Sequence, residues 1–307
     1  HQSVVSKQGA WRLDLFSCLR QSPVLSQHPV DDSSVQNLLP DQLAGDHAYD
    51  DHLPQHQTPE LGSLSAADGQ TLHYRLTRPD NTVGQIPVIV SVYGGPGVQR
   101  VRNEWAPLSL QLLVRAGFAV FELDNRGSGG RGREFEESIY KALGTVEVAD
   151  QLIGVEYLKT LDWVDPSAIG VFGHSYGGFM TLKCLLAAPE VFAAGVSVAP
   201  VTDWTLYDTH YTERYLGLPQ AEADAYARSG VLGHCAGLAK PLLLMHGMAD
   251  DNVLFANTTA LLAELQAELV PFSLMTYPGS KHALQEPHVA THRYDMILAF
   301  FRQHLLK

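Results

Sequence analysis

Cysteine, positive charge and long apolar runs are all scarce in this sequence. Only three cysteines occur in 307 residues, which excludes a disulfide scaffold and leaves the redox compartment open. Lys and Arg total 21 against 33 Asp and Glu, and the net charge of −12 argues against nucleic acid as the main partner. Because no apolar run reaches the roughly 18 residues that a membrane span needs, no span is expected in this chain.

The first residues also lack a Met and a basic-then-apolar signal peptide. The chain begins at His1, which suggests a processed form or a fragment of a longer protein. With 45% apolar and 18% charged residues, the composition is that of a folded, soluble chain of one large domain or two modest ones. The location stays open between the cytoplasm and a periplasmic or secreted compartment.

Residues 1–60 differ in character from the rest of the chain. They hold five of the 14 histidines and show little helical periodicity. Two strand-like pieces at 11–18 and 23–26 precede a segment at 31–60 that is rich in Asp, Gln, Pro and His and is predicted to be a linker. A hairpin is then predicted over 61–77.

After residue 87, short apolar segments alternate with amphipathic ones. Strands buried on both faces, alternating with helices, indicate an α/β domain with a mostly parallel central sheet and helices on both faces. Strands are predicted at 88–93, 118–124, 168–173, 194–199, 241–246 and 272–277. Helices are predicted at 106–116, 146–161, 176–188, 222–229, 257–268 and 289–306.

The sharpest motif is a G-x-S-x-G sequence centred on Ser175. It follows an apolar strand at 168–172 and precedes a helical segment at 179–188, which is the context that a nucleophile elbow requires. A serine on such a strained turn projects its hydroxyl out of the sheet. The helix N-terminus supplies backbone N–H groups for a tetrahedral oxyanion. The pattern therefore predicts that Ser175 is a nucleophile.

A serine nucleophile needs a base, and the base needs an orienting carboxylate, in the chain order Ser, acid, His for this fold. Asp250 and Asp251 follow the predicted strand 241–246, and His282 follows the last predicted strand. Both positions lie in the loop layer where catalytic groups collect. The residues alone leave open which aspartate orients the histidine, since one of the two can cap the following helix.

These residues carry a resemblance to a known family. The elbow motif at 173–178, the stretch at 250–253 (Asp-Asp-Asn-Val) and His282 are similar to the catalytic domain of the prolyl oligopeptidase family of serine peptidases. The similarity runs from about residue 45 to the C-terminus, and the stretch at 211–215 (Tyr-Thr-Glu-Arg-Tyr) favours its dipeptidyl peptidase branch. The other matching motifs lie at 92–97, 124–129 and 143–147.

The resemblance implies a Ser-His-Asp hydrolase with an assisted oxyanion site. Ser175 is the expected nucleophile, His282 the expected base and Asp250 the expected orienting acid. Tyr93 and the backbone N–H of Tyr176 are expected to stabilise the oxyanion. A phenol with a pKa near 10 remains a hydrogen-bond donor at neutral pH, which suits Tyr93 to that role.

The resemblance also implies a peptide substrate, cleaved after Pro or Ala near its N-terminus by a reaction that uses no cofactor and no metal. Asn252 is expected to hydrogen-bond the carbonyl of the residue before the proline. Aromatic walls suit a flat apolar ring, and a small pocket selects Pro or Ala. The residues expected to line that pocket are Val201, Trp204, Tyr207, Tyr211 and Val253.

Relatives in this family carry a β-propeller domain before the hydrolase domain, and in the dipeptidyl peptidases two of its glutamates hold the substrate's amino terminus. Residues 1–40 resemble only the last propeller strands and the exit linker, and 41–307 resemble the catalytic domain. No residue of this chain is assigned to the amine-binding pair. The expected partners are an upstream propeller domain that this chain lacks and a second copy of the chain in a homodimer.

Other functions stay open on the residues. One is an esterase or an oligopeptidase of broader specificity on the same fold, and another is a non-catalytic interaction domain, which an intact triad disfavours. The glycine-rich tract at 127–132 matches a dinucleotide fingerprint, but the acidic stretch after it would repel a pyrophosphate. His47, His52 and His56 fit no zinc spacing, so no metal site is predicted.

Overall fold

A computed structural model of the chain describes residues 2–29, 34–39, 43, 47–80 and 82–306. Its strands form two sheets, one of four strands before residue 40 and one of eight strands after residue 59. The domain boundary predicted between residues 40 and 41 lies outside the described residues and stays a prediction.

The small sheet is antiparallel and follows the chain order. It consists of β1 (Gln2–Val5), β2 (Trp11–Cys18), β3 (Gln21–Pro29) and β4 (Gln36–Leu39). The linker prediction for 31–60 is wrong at two places, since the segment contains β4 and a 3₁₀ helix at Asp50–Gln55. β4 is a strand because it pairs with β3, and a polar sequence does not reveal such a partner.

The large sheet has the order β12-β11-β10-β9-β7-β8-β6-β5. The predicted hairpin is formed by antiparallel β5 and β6, and β6 pairs antiparallel with β8, whereas the other neighbours are parallel. Each of the six strands predicted after residue 87 is present. The strands are β5 (Glu60–Ser65), β6 (Thr71–Thr77), β7 (Ile86–Ser91), β8 (Ala119–Asp124), β9 (Val164–His174), β10 (Ala194–Val198), β11 (Leu242–Gly247) and β12 (Ser273–Tyr277).

Helices cover both faces of the large sheet. Along β7, Val88 and Val90 pack into one apolar cluster and Ile89 into the other, because successive side chains of a strand point to opposite faces. Helices α3, α4 and α7 contribute to the first cluster, and α1 and α8 to the second. The helices are α1 (Leu108–Arg115), α2 (Arg133–Glu137), α3 (Val146–Lys159), α4 (Tyr176–Ala187), α5 (Thr209–Leu216), α6 (Ala223–Ser229), α7 (Ala256–Ala267) and α8 (Pro287–Leu305).

Helices α2 and α5 were not predicted from the sequence, and α5 matters for the site. The Asp208 carboxylate accepts a hydrogen bond from the Tyr211 N–H (3.0 Å) and so caps the start of α5, which ends at Gly217. Tyr211 and Tyr215 lie four residues apart on one face. An eight-residue helix is too short to produce a clear helical periodicity in the sequence.

Contacts from residues 17, 19 and 56 connect the N-terminal region to the large domain. The Leu19 N–H donates to Asn103 Oδ1 (3.2 Å), and the Trp105 N–H donates to Ser17 Oγ (3.4 Å). The His56 ring stacks on Trp105 with 3.9 Å between centroids. In the part of the chain that the structure describes, no helix is both long and apolar enough to cross a membrane.

Candidate active site

Ser175 lies on the sharp turn between β9 and α4. Its backbone has φ 63° and ψ −121°, a strained conformation that only the surrounding structure can hold in place. The turn is tight because Gly173 approaches the next turn of backbone. A Cβ atom at Gly173 would lie 2.1 Å from the Gly177 carbonyl oxygen. The Ser175 N–H also donates to the Val198 carbonyl (2.8 Å), which fixes the turn against β10.

Ser175, His282 and Asp250 form one continuous hydrogen-bonded line. The Ser175 hydroxyl donates to His282 Nε2 (2.9 Å), and His282 Nδ1–H donates to Asp250 Oδ2 (2.7 Å). The histidine comes from the loop after β12 and the aspartate from the loop after β11. The Asp250 side chain is fully buried, while that of His282 is 18% exposed. The arrangement lets the imidazole accept the serine proton while its other nitrogen stays held by the carboxylate.

The two neighbouring aspartates have different surroundings. Asp250 Oδ1 accepts the N–H groups of Asn252 (2.9 Å) and Val253 (3.0 Å). Asp251 is exposed and pairs with the Lys281 ammonium at 2.6 Å. The structure therefore brings Asp250, and not Asp251, to the imidazole.

Sequence reasoning missed His246, which also contacts Asp250. This fully buried histidine is the penultimate residue of the apolar strand β11, four residues before the acid, and its Nε2–H donates to Asp250 Oδ2 (3.0 Å). Burial on its own raises the pKa of Asp250, but the hydrogen bonds from His246 and His282 outweigh it and hold that pKa well below its usual value. Asp250 is therefore ionised across the ordinary pH range. A histidine at the end of a buried strand, close before an acid, is the signal that could have found it.

His174, the variable residue before the serine, was also missed. Burial lowers the pKa of His174 to about 4, so its ring is neutral at neutral pH. Its Nε2–H donates to the His282 carbonyl (2.8 Å), and the two rings lie 4.9 Å apart. This contact holds the backbone of the loop that carries His282.

Tyr93 lies just after β7 and lines a pocket of about 500 Å³ together with Ser175, His282 and Asn252. Its side chain is half-buried, and burial raises the pKa of Tyr93, so the phenol keeps its proton at neutral pH. Tyr176 begins α4, which puts its backbone N–H at a helix N-terminus beside the serine. Both proposed oxyanion donors therefore lie at the elbow.

The predicted proline-pocket residues belong to one apolar cluster. Val201, Trp204 and Val253 are buried in it, and Tyr207 and Tyr211 pack against it half-buried. The rings of Trp204 and Tyr211 are stacked with 6.3 Å between centroids, and Tyr207 meets Trp204 edge-on at 6.0 Å.

Asn252 connects this aromatic cluster to the catalytic line. Its side-chain oxygen accepts the Tyr207 hydroxyl proton (2.9 Å), while its backbone N–H donates to Asp250. The structure thus gathers all the predicted site residues at the carboxyl ends of the parallel strands. Among the described residues, no group of three or more His, Cys, Asp or Glu side chains could hold a metal ion.

A mostly parallel eight-stranded sheet with a strained serine between strand and helix defines the α/β-hydrolase fold. The sequence profile of the prolyl oligopeptidase family matches residues 105–307, and the chain belongs to that family.

Relatives with similar sequences are dipeptidyl peptidases. Dipeptidyl peptidase 8 of Mus musculus is 36% identical over 260 residues, which is 82% of this chain and 29% of the relative. Dipeptidyl peptidase family member 1 of Caenorhabditis elegans is 42% identical over 224 residues, 71% of this chain and 27% of the relative. The chain thus spans less than a third of the length of these relatives.

Solved structures lead to the same family. The crystal structure of Porphyromonas gingivalis dipeptidyl peptidase 4 matches with a TM-score of 0.92 and 28% identity. The match covers 99% of this chain and 43% of that one. The similarity therefore extends over the small sheet as well as the large domain.

Proposed function

We propose that this chain carries the hydrolytic site of a dipeptidyl-peptidase-like serine peptidase that cleaves peptides after Pro or Ala near their N-terminus. The observation that supports this most directly is the line from Ser175 Oγ through His282 to Asp250, with distances of 2.9 and 2.7 Å. Each of these three residues has the hydrogen-bond partner that an acyl-enzyme mechanism needs. The similar sequences described above are those of dipeptidyl peptidases.

In the proposed reaction the Ser175 oxygen attacks the scissile carbonyl carbon while His282 Nε2 takes the hydroxyl proton. The tetrahedral oxyanion is stabilised by the Tyr93 phenol and the Tyr176 N–H. Collapse breaks the C–N bond, and His282 gives its proton to the leaving amine, which leaves an ester on Ser175. A water molecule then hydrolyses this ester with His282 again as base. Asp250 remains ionised and holds the imidazole throughout.

The aromatic cluster around Trp204, Tyr207 and Tyr211 is proposed as the wall of the proline pocket. Its stacked and edge-on rings form a rigid apolar surface whose shape suits a five-membered ring. Larger side chains would require these packed rings to move, which disfavours them. Asn252 is proposed to reach the carbonyl of the preceding substrate residue.

Residues 1–40 are proposed as the end of a preceding propeller domain and 41–307 as the catalytic domain. Because no amine-binding carboxylate is assigned within these 307 residues, we expect them to hydrolyse an Ala-Pro amide and its N-acetylated form at similar rates. Loss of the charge-assisted contact to the substrate amine lowers kcat/KM for the free-amine substrate by about 10- to 150-fold. If these residues alone reject the acetylated form strongly, the amine-binding groups lie within them. The homodimer remains a prediction.

The test of the proposed function combines a label with two substrates. A fluorophosphonate should label the wild-type chain on Ser175, and the Ser175→Ala variant should stay unlabelled. The wild type should hydrolyse an Ala-Pro chromogenic amide in preference to a butyrate ester. An ester preference would favour the esterase alternative, and an unlabelled wild-type chain would favour a non-catalytic domain.

A further inference from the structure

The carboxyl group of Glu147 is buried in the first turn of α3, and the reaction proposed above gives it no role. Its side chain accepts three hydrogen bonds. Oε1 accepts the Tyr176 hydroxyl proton (2.7 Å) and the Gly144 N–H (2.9 Å), and Oε2 accepts the Thr145 N–H (3.1 Å). A buried carboxyl group without such partners would be strongly destabilising, so these donors hold it in one place.

Tyr176 connects the Glu147 carboxylate to the serine elbow, because its hydroxyl contacts Glu147 and its backbone follows Ser175. Its ring is buried between Phe179 and Trp204, at centroid distances of 5.2 and 5.6 Å, and lies 6.1 Å from the ring of Tyr93. Gly95 lies between the two tyrosines, and a Cβ there would lie 2.6 Å from the Tyr93 ring and 3.0 Å from Tyr176 Cγ. Because this packing leaves no room, a shift of the Tyr176 side chain displaces its own backbone and the Tyr93 ring.

The ionisation of Glu147 changes the hydrogen bond to Tyr176. Burial raises the pKa of Glu147 to about 7, against the lowering effect of the hydrogen bonds from Gly144 and Tyr176. The ionised carboxylate accepts the tyrosine proton. Once protonated, the carboxyl group gains an O–H donor, and of its three partners only the tyrosine oxygen can accept from it, since both backbone partners are donors themselves.

The titratable groups that interact with Glu147 lie on the two helices α4 and α5. Burial lowers the pKa of Lys183, whose ammonium donates to the carbonyl oxygens of Arg228 (2.9 Å) and Gly230 (3.2 Å). Burial raises the pKa of Cys184 to about 12, so this thiol is neutral at neutral pH. The groups that interact electrostatically with Glu147 are Tyr176, Lys183 and Cys184 on α4 and Tyr211 on α5.

We propose that Glu147 is a positioning residue of the oxyanion site, whose ionised carboxylate fixes Tyr176 and through it the Tyr176 N–H and the Tyr93 phenol. It does not touch substrate. This inference rests on the proposed function, because it assumes that both tyrosines stabilise an oxyanion. It adds a residue that lies behind the elbow, in α3 rather than in the helix α4 that follows the serine.

The test compares Glu147→Gln, Tyr176→Phe and the double variant on the Ala-Pro amide. We expect each single change to lower kcat about 10- to 100-fold with KM nearly unchanged, because the contact acts on the transition state. The double variant should be no slower than the slower single one, since both remove the same contact. The matched control is Glu156→Gln, which removes an exposed carboxylate from the same helix and should leave kcat unchanged.

The pH profile separates positioning from a merely structural role. In the wild type, protonation of Glu147 at acid pH weakens the oxyanion site, so log kcat/KM should fall more steeply with decreasing pH than in either variant. Glu147→Gln and Tyr176→Phe remove this contribution, and the acid limb of the profile should be shallower by up to about one unit of slope. Tyr176→Phe keeps the ring and the backbone, and so carries the test if Glu147→Gln fails to fold.

Fluorophosphonate labelling keeps the two proposals apart. If the wild type is labelled on Ser175 but Tyr176→Phe keeps the wild-type kcat and acid slope, the proposed function stands and this inference is overturned. Additive losses in the double variant would overturn it in the same way. An unlabelled wild-type chain would overturn both.

Discussion

The two sheets of this chain differ in what surrounds their strands. In the large sheet, β7, β8, β10 and β11 are buried along their whole length, whereas β1 and β4 of the small sheet are exposed at every residue. Groups at the ends of buried strands are held from all sides, so a strained turn at Ser175 and a buried Asp250 can persist there. Burial on all sides therefore explains why the candidate catalytic residues lie at the large sheet.

The largest expected effect comes from the elbow of the large sheet. Ser175→Ala should lower kcat by about 10⁵ or more, since only oxyanion and binding effects remain without the nucleophile. Steady-state assays on the Ala-Pro amide measure this, with circular dichroism to check the fold. Ser63→Ala, at an exposed position of the edge strand β5, is the matched control. A Ser175→Ala variant that keeps a tenth of the activity would rule out this nucleophile.

The next effect distinguishes two neighbouring carboxylates on the same loop. Asp250→Asn should lower kcat about 10³- to 10⁴-fold because the imidazole loses its orienting anion. Asp251→Asn should change kcat less than about twofold, since only an exposed pair with Lys281 is lost. Parallel kcat measurements on both variants are decisive, and the reverse ranking would show that the wrong aspartate has been assigned.

A smaller effect is expected at the oxyanion donor after β7. Tyr93→Phe should lower kcat about 10²- to 10³-fold with little change in KM, because an oxyanion donor acts mainly in the transition state. Measurement of kcat and KM separately tests this. A change confined to KM would mean that the phenol binds the ground state instead.

The smallest effect is expected on the small sheet. Val4 in β1 and Leu15 in β2 are 64% and 39% exposed. Val4→Ser and Leu15→Ser should leave kcat unchanged and alter the free energy of unfolding by about 0.5 kcal/mol or less. Urea titrations and amide assays check both quantities. A large loss of activity in either variant would contradict the expected difference between the two sheets, because it would mean that the small sheet affects the active site.

Much of the fold could be predicted because its signals are local. The apolar segments that form β7, β8, β10 and β11 are continuous runs buried along their whole length, and such runs differ in sequence from the amphipathic helices between them. Two short elements, β4 and α5, could not be predicted because the sequence carries too little local signal for them. β4 depends on its pairing with β3, and α5 is too short for a periodic pattern.

The serine elbow could be recognised from the sequence alone, since Gly173, Ser175 and Gly177 lie within five residues, directly between a strand-like and a helix-like segment. The sequence also placed an acid and a histidine after successive strands. The pattern of residues left Asp250 and Asp251 equivalent, and the family resemblance favoured Asp250. The contact between Asp250 and His282 itself depends on tertiary structure, because it joins loops 32 residues apart in the chain.

The same reason explains the residues that sequence reasoning missed. Glu147 meets Tyr176 across 29 residues of sequence, and His174 meets the His282 carbonyl across 108. Such contacts arise when elements distant in sequence pack together, and no pattern of neighbouring residues encodes them. The local chain therefore specified which chemical groups are present, whereas packing decided which of them are buried, charged and within hydrogen-bonding distance of one another.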